Sequence, residues 1–216
     1  NWPTFAPPQW PNFTPPLTIS PFPTKQEMRD HKRREIVRCA SEKFGAEGYE
    51  NVPLEAIASE LGVTKAALYT YVSSKNDLLM QCYEVGMVRL IGAVEEALDT
   101  PGKAADRLRI GLVTYVETMT RKDMQYLWNY IRPLLSPGDK RSVQTSRDQI
   151  DSLFRAILQE GVNDGSLRSD LDPKLASLVI LGAINWVGIW FRTSGAQNSK
   201  EVARDVVSDA LRGYLA

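Results

Sequence analysis

The chain has 216 residues, 43% of them hydrophobic, enough for one or two domains with a sizeable core. Lysine plus arginine and aspartate plus glutamate both number 26, so there is no global pull toward nucleic acid or membranes, and affinity for a polyanion has to come from local placement. Two cysteines, Cys39 and Cys82, fit a reducing compartment and separate buried thiols better than a disulfide scaffold or a redox pair, and with a single histidine, His31, they cannot assemble a zinc-ligand cluster; neither a metal site nor a cofactor is expected.

Residues 1–24 carry most of the thirteen prolines together with Trp2, Phe5, Trp10, Phe13 and Phe22, and no charged residue. Repeated proline forbids helix and favours extended polyproline geometry. The segment fits a disordered tail, while its rings fit an arm laid along the body or a partner subunit. It lacks the charged-then-apolar order of a secretory signal, and no uninterrupted apolar run approaches the roughly 20 residues that span a bilayer. A cytoplasmic protein without a membrane partner is expected.

From Lys25 the composition changes. Ile36, Val37, Ala40 and Phe44 recur at helical spacing, with Gly45 or Gly48 as the stop. Lys25–Arg38 holds six cations, Arg33 among them, against three acids. That excess fits a solvated helix face or a phosphate contact. A second, short helix follows on the period Leu54, Ile57, Ala58, Leu61, and Gly62 ends it where a left-handed residue is cheapest. Thr64 then precedes a third helical run whose exposed N–H groups its hydroxyl can cap. Two short helices joined by a tight glycine turn make a helix-turn-helix, whose second helix enters a DNA major groove.

Beyond Lys75 a long helix is predicted on Tyr83, Met87, Leu90, Ile91, Val94 and Leu98, ending near Pro101–Gly102. The next stripes are Leu108, Leu112, Tyr115, Val116 and Met119, then a short Met124–Arg132 segment, then Ile150, Leu153, Phe154, Ile157, Leu158 and Val162. There is no alternating strand pattern, internal repeat or nucleotide-binding glycine loop. The fold class is all-α, with about nine helices.

The last two helices differ in kind. After Asp172, a plausible N-cap, one stripe runs Leu175, Leu178, Val179, Gly182, Ala183, Trp186, Ile189, Trp190, and a second runs Ile180, Ile184, Val187, Phe191. A helix apolar on two faces must be covered on both. The final helix adds Val206, Ala210 and Tyr214 to the apolar surface. Ile180, Ile184, Val187 and Phe191 with Val206, Ala210 and Tyr214 are therefore assigned to a homodimer interface, a two-fold four-helix bundle; a fully central helix in one chain is the alternative.

The stretch FGAEGYENVPLEAIASELGVTKAALYTYVSSKNDLL resembles the DNA-binding module of the TetR family of bacterial transcriptional regulators, in the order Phe-x3-Gly-Tyr, Ile-Ala, Gly-Val-Thr, Leu-Tyr-x-Tyr and Ser-Lys-x-x-Leu. The resemblance implies a three-helix DNA-binding domain at 25–74, after the 1–24 extension, and a helical ligand-binding and dimerisation domain at 75–216. The local run GAINWVGIWFRTSG resembles a subset of these regulators that respond to acyl-CoA thioesters or other intermediates of lipid catabolism. By position, Thr64 caps the recognition helix and bonds phosphate, and Lys65, Ala66 and Ala67 lie closest to base edges. Tyr69 and Tyr71 reach the backbone or bases, although Tyr71 also fits a packing role, and Lys75 binds phosphate. Val52–Pro53 replaces the hydroxyl with which the second helix of this family usually begins.

The implied function is a repressor that binds a palindromic, double-stranded operator as a homodimer and is released by a small hydrophobic or amphipathic effector such as an acyl-CoA. An activator, or an architectural protein without effector, is the alternative. Tyr83, Met87, Tyr115, Met119, Trp128, Phe154, Trp186 and Trp190 are the candidate walls of the effector cavity, although any one such residue is more often plain core than ligand wall. Arg192, a cation at a helix end, is the candidate partner of an anionic group or of a surface acid. With one histidine, no nucleophile elbow and no phosphate loop, an enzyme is not expected.

Overall fold

The computed structural model describes residues 23–125, 127, 131 and 135–216. The 1–24 extension, apart from its last two residues, and Trp128 lie outside them. Among the described residues the chain is all-α, as its patterning predicts. The helices are α1 (Lys25–Glu47), α2 (Leu54–Glu60), α3 (Lys65–Leu68), α4 (Lys75–Leu98), α5 (Ala104–Met119), α6 (Pro137–Asn163), α7 (Pro173–Trp190) and α8 (Ser199–Leu211). Residues 122–125 add a helical turn. One isolated antiparallel bridge, Leu167 with Leu215, ties the C-terminus to the loop before α7.

The helix starts follow from short polar side chains that satisfy N–H groups left without intrahelical partners. Thr24 and Glu27, Ser136 and Asp139, and Asn198 and Glu201 form reciprocal capping boxes at α1, α6 and α8. Asp172 caps α7, with Pro173 in its first turn. The start of α5 has no cap of its own. Instead the amides of Ala104 and Ala105 donate to Asp164 Oδ2 and Ser166 Oγ at 2.9 and 3.1 Å, so the α6–α7 turn fixes where α5 begins.

α1 to α3 close a small module around Ile36, Ala40, Phe44, Val52, Ile57, Leu68 and Val72, all buried. α4 leaves that module through Leu78, Leu79 and Cys82 and enters the C-terminal body through Met87, Leu90, Val94 and Leu98. There it packs on α5 and α6. The two halves share one continuous core, and α4 is the element common to both.

α7 packs against α5, α6 and α8, and its two apolar stripes take the opposite sides from those expected. Ile180, Ile184, Val187 and Phe191, assigned above to a dimer interface, are buried in the chain's own core. Leu175, Leu178, Val179, Trp186, Ile189 and Trp190 face outward, with Trp186 60% exposed. Periodicity separates the two faces of a helix but carries no information about which one the chain's own body covers. The narrower stripe, without tryptophan, fits between neighbouring helices, and the tryptophans remain outside. Val206, Ala210 and Tyr214 are half-buried. By length and composition α7 is also apolar enough to cross a membrane, with a mean hydropathy of 1.4 over 18 residues. Its separation into a buried and an outward face is that of a helix packed on a protein body.

Candidate DNA interface and ligand cavity

The turn between α2 and α3 is made by Gly62, whose φ of 65° lies in the left-handed region that glycine enters without steric cost. Thr64 follows, and its Oγ1 accepts the Ala67 amide at 3.1 Å. α3 proper is four residues long, but i→i+3 and i→i+4 bonds carry the turn on to Val72. Leu68 and Val72 anchor it inward, while Thr64, Lys65, Ala66 and Tyr69 stand exposed and Ala67 and Tyr71 are half-buried. The segment thus presents one polar and aromatic edge to solvent.

Two cations of that edge are held in place. The Lys65 ammonium pairs with Glu55 of α2 and lies 5.9 Å from the centre of the Tyr69 ring. The hydrogen bond from Lys65 holds the Glu55 carboxyl below the usual carboxylate range, and the same bond raises the lysine. Lys75, at the first position of α4, donates to the Glu50 carbonyl at 3.3 Å and sits 4.4 Å over the Tyr49 ring. Arg33 donates from Nε to Gln81 Oε1 at 2.9 Å, and Gln81 in turn donates to the Tyr71 carbonyl, so α1, α4 and the end of α3 are laced together. Glu55 is the residue of this surface that the sequence reading missed. An acid on a solvated helix has no distinguishing pattern until a lysine from the next helix is folded against it. At the start of α2, Pro53 occupies the N-cap and supplies no side-chain bond, as Val52–Pro53 foretold.

The cavity of the C-terminal body has a volume of about 540 Å³ and lies between α6 and α7, floored by Met87 and Tyr115. Of the candidate wall residues those two line it. Tyr83, Met119 and Phe154 are buried in the core without lining it, Phe154 meeting Tyr115 edge-on at 5.9 Å. Trp186 and Trp190 lie on the outward side of α7 and do not line the cavity, although Leu178 and Ile189 of the same side reach its edge. Arg192 does not line it either. Its guanidinium donates to the Ile189 and Phe191 carbonyls at 2.8 and 3.0 Å and so closes the end of α7.

The polar side of the cavity comes from residues the sequence reading passed over: Gln144, Arg147, Asp148 and Asp151 of α6, and Asn185 of α7. The α6 set recurs at i, i+3, i+4 and i+7, a helical stripe indistinguishable from a solvated face without the opposing wall. Asn185 carried a better signal, an amide inside an apolar run. It accepts the Tyr115 hydroxyl at 2.6 Å, and burial raises that phenol. Asp151 accepts bonds from Ser177 and Arg155, and Asp148 accepts from Gln144 at 2.7 Å. The apolar side is Ile150, Leu178, Leu181 and Ile189. Such a cavity suits a molecule with an apolar body and one polar end.

An outward-facing helix-turn-helix on one small module, continued through a long helix into a helical body with a partly polar cavity, defines a DNA-binding regulator. Residues 36–82 match the family of bacterial regulatory proteins, tetR family, and residues 101–214 match the tetracyclin repressor-like C-terminal domain. The chain belongs to the TetR family. It is 24% identical over 185 residues to the HTH-type transcriptional repressor KstR2 of Mycolicibacterium smegmatis, covering 84% of this chain and 90% of that one. Among solved structures, the TetR family transcriptional regulator PfmR from Thermus thermophilus matches with a TM-score of 0.70 and 30% identity, over 82% of this chain and 97% of that one. AibR in complex with isovaleryl coenzyme A and operator DNA matches with the same TM-score, 0.70, at 21% identity, over 82% and 97%.

Proposed function

We propose that the protein is a cytoplasmic, homodimeric repressor that binds a palindromic operator and is released by a small hydrophobic or amphipathic effector. The observation that carries the dimer is the outward stripe of α7. Leu175, Leu178, Val179, Trp186, Ile189 and Trp190 form a contiguous apolar face larger than a lone surface helix keeps in water. A second copy covers it best, because the same face on both chains is self-complementary about a two-fold axis. Val206 and Ala210 of α8, with Tyr214 just beyond its end, join this interface. Two recognition helices would then lie about 34–36 Å apart, one duplex turn.

On the DNA, Lys65 carries base recognition, through the guanine edge that lysine and arginine commonly read, with the methyl groups of Ala66 and Ala67 against thymine. Thr64, Tyr69, Tyr71, Arg33 and Lys75 contact the backbone. In the α6–α7 cavity, Arg147 meets the anionic or polar end of the effector and Met87, Ile150 and Leu181 take its apolar part. Acyl thioesters are the first class to test, in keeping with the isovaleryl coenzyme A bound by AibR, as the repressor role is in keeping with KstR2. α4, which spans both halves, transmits the effect. By linkage the effector lowers operator affinity only as far as it prefers the released arrangement, commonly about 1–3 kcal/mol.

Selection of bound sequences from random DNA, followed by gel-shift titration with acyl-CoAs of graded chain length, tests the reading. A palindromic consensus and release by one chain-length class are the expected results. Selected sites without two-fold symmetry would defeat the dimer, and a complex that no acyl thioester releases would defeat the effector class.

A further inference from the structure

A second cavity, about 680 Å³, lies away from both the recognition edge and the α6–α7 cavity. Its walls are one face of α1, from Arg34 to Ala46, the exposed side of α4 from Glu84 to Arg89, and residues 121–123. Two glycines set the third wall so close. A Cβ at Gly45 of α1 would stand 3.1 Å from the Asp123 backbone, and one at Gly86 of α4 would stand 2.7 Å from the Met124 sulfur. The groove therefore sits where the DNA-binding module meets the C-terminal body. Along α1 it runs roughly 18 Å, at 1.5 Å per residue, the length of a medium alkyl chain.

The floor is apolar. Val37 and Val85 lead to Val88, which is 71% exposed, more than any other large hydrophobic side chain among the described residues. The rim is cationic. Arg38 is engaged by Glu35 and Glu42, and Arg121 by Asp123. Arg34, Arg89 and Lys122 make no ion pair among the described residues, and Glu84 is the one rim acid in the same condition, leaving an excess of two positive charges. An inorganic anion would leave Val88 in water. A neutral hydrocarbon would leave the three cations without a counter-charge.

We infer that this groove binds a soluble, single-chain amphipathic anion of the fatty-carboxylate type, its tail along Val37, Val85 and Val88 and its headgroup among Arg34, Arg89 and Lys122. Charge complementarity selects the head and the exposed valine strip selects the tail. Because α1 and α4 are both walls, an occupant sets their mutual position and so biases the DNA-binding module. The site stands whether or not the α6–α7 cavity takes an effector.

The test is calorimetric titration of the full chain with sodium dodecanoate below its micelle concentration, in parallel with three variants. Arg89→Glu with Lys122→Glu reverses rim charge on exposed side chains. Val88→Ser removes the tail contact, and Gly182→Gln obstructs the α6–α7 cavity, which Gly182 lines with open space around it. The expected result is saturable binding weakened about tenfold or more by the double charge reversal. Val88→Ser weakens it roughly threefold, and Gly182→Gln leaves it unchanged. Two classes of site, only one of them removed by Gly182→Gln and the other by the charge reversal, support it equally. Absence of saturable binding, binding indifferent to the charge reversal, or binding abolished by Gly182→Gln alone would overturn it.

Discussion

At the scale of single residues, the recognition edge depends on side chains with two tasks. Thr64 holds the Ala67 amide and faces solvent. Thr64→Ala is expected to cost about 1 kcal/mol of stability, the usual loss for an N-cap hydroxyl, measured by urea unfolding, and to weaken operator binding besides. Lys65 is engaged by Glu55 in the free chain. If it reads a base, Lys65→Ala costs about 1–3 kcal/mol and relaxes preference at one operator position, whereas Lys75→Ala weakens all sequences alike and lowers the salt slope by about one. Gel shifts against single-base operator variants at several salt concentrations separate the two. Thr64 was legible because capping is a local bond. The Lys65–Glu55 pair was not, because it joins residues on two helices.

At the scale of elements, α7 shows what hydrophobic pattern conveys and what it omits. Its start at Asp172–Pro173, its helical state and its two apolar faces all follow from sequence. The side each face takes does not, since both stripes are apolar and the packing of α5, α6 and α8 decides between them. The outward position of Trp186 leads to a direct expectation. Trp186→Glu, a charge on an exposed face, should leave helicity unchanged and shift the chain toward monomer in sedimentation velocity, with operator affinity falling alongside. Ile184→Glu, in the core, should instead unfold the chain, because a buried unpaired charge costs several kcal/mol.

At the scale of the whole molecule, buried acids that hold their protons shape the response to pH. Burial pushes the Cys82 thiol up to about 12, from an ordinary 9.0, and its Sγ donates to the Val37 carbonyl at 3.6 Å. Burial likewise raises the phenols of Tyr83 and Tyr115. The folded chain binds these protons more tightly than the unfolded chain, so stability is complete below the unfolded values and is lost as pH rises toward the folded ones. The thermal midpoint, followed by circular dichroism, should be level through neutral pH and decline above about pH 9, where the unfolded thiol and then the phenols ionise. Cys82→Ala should make that decline shallower.

The sequence by itself determined most of the helices, the caps at Thr64 and Asp172 and the glycine turn at Gly62, because each rests on bonds and periodicities within a few residues of chain. Only the tertiary structure decided which stripe of α7 the body covers, which α6 side chains line a cavity, and that Arg192 donates to the carbonyls at the end of α7. Those outcomes depend on surfaces brought together from distant positions. A helical face carries no mark of its partner until the partner is packed against it.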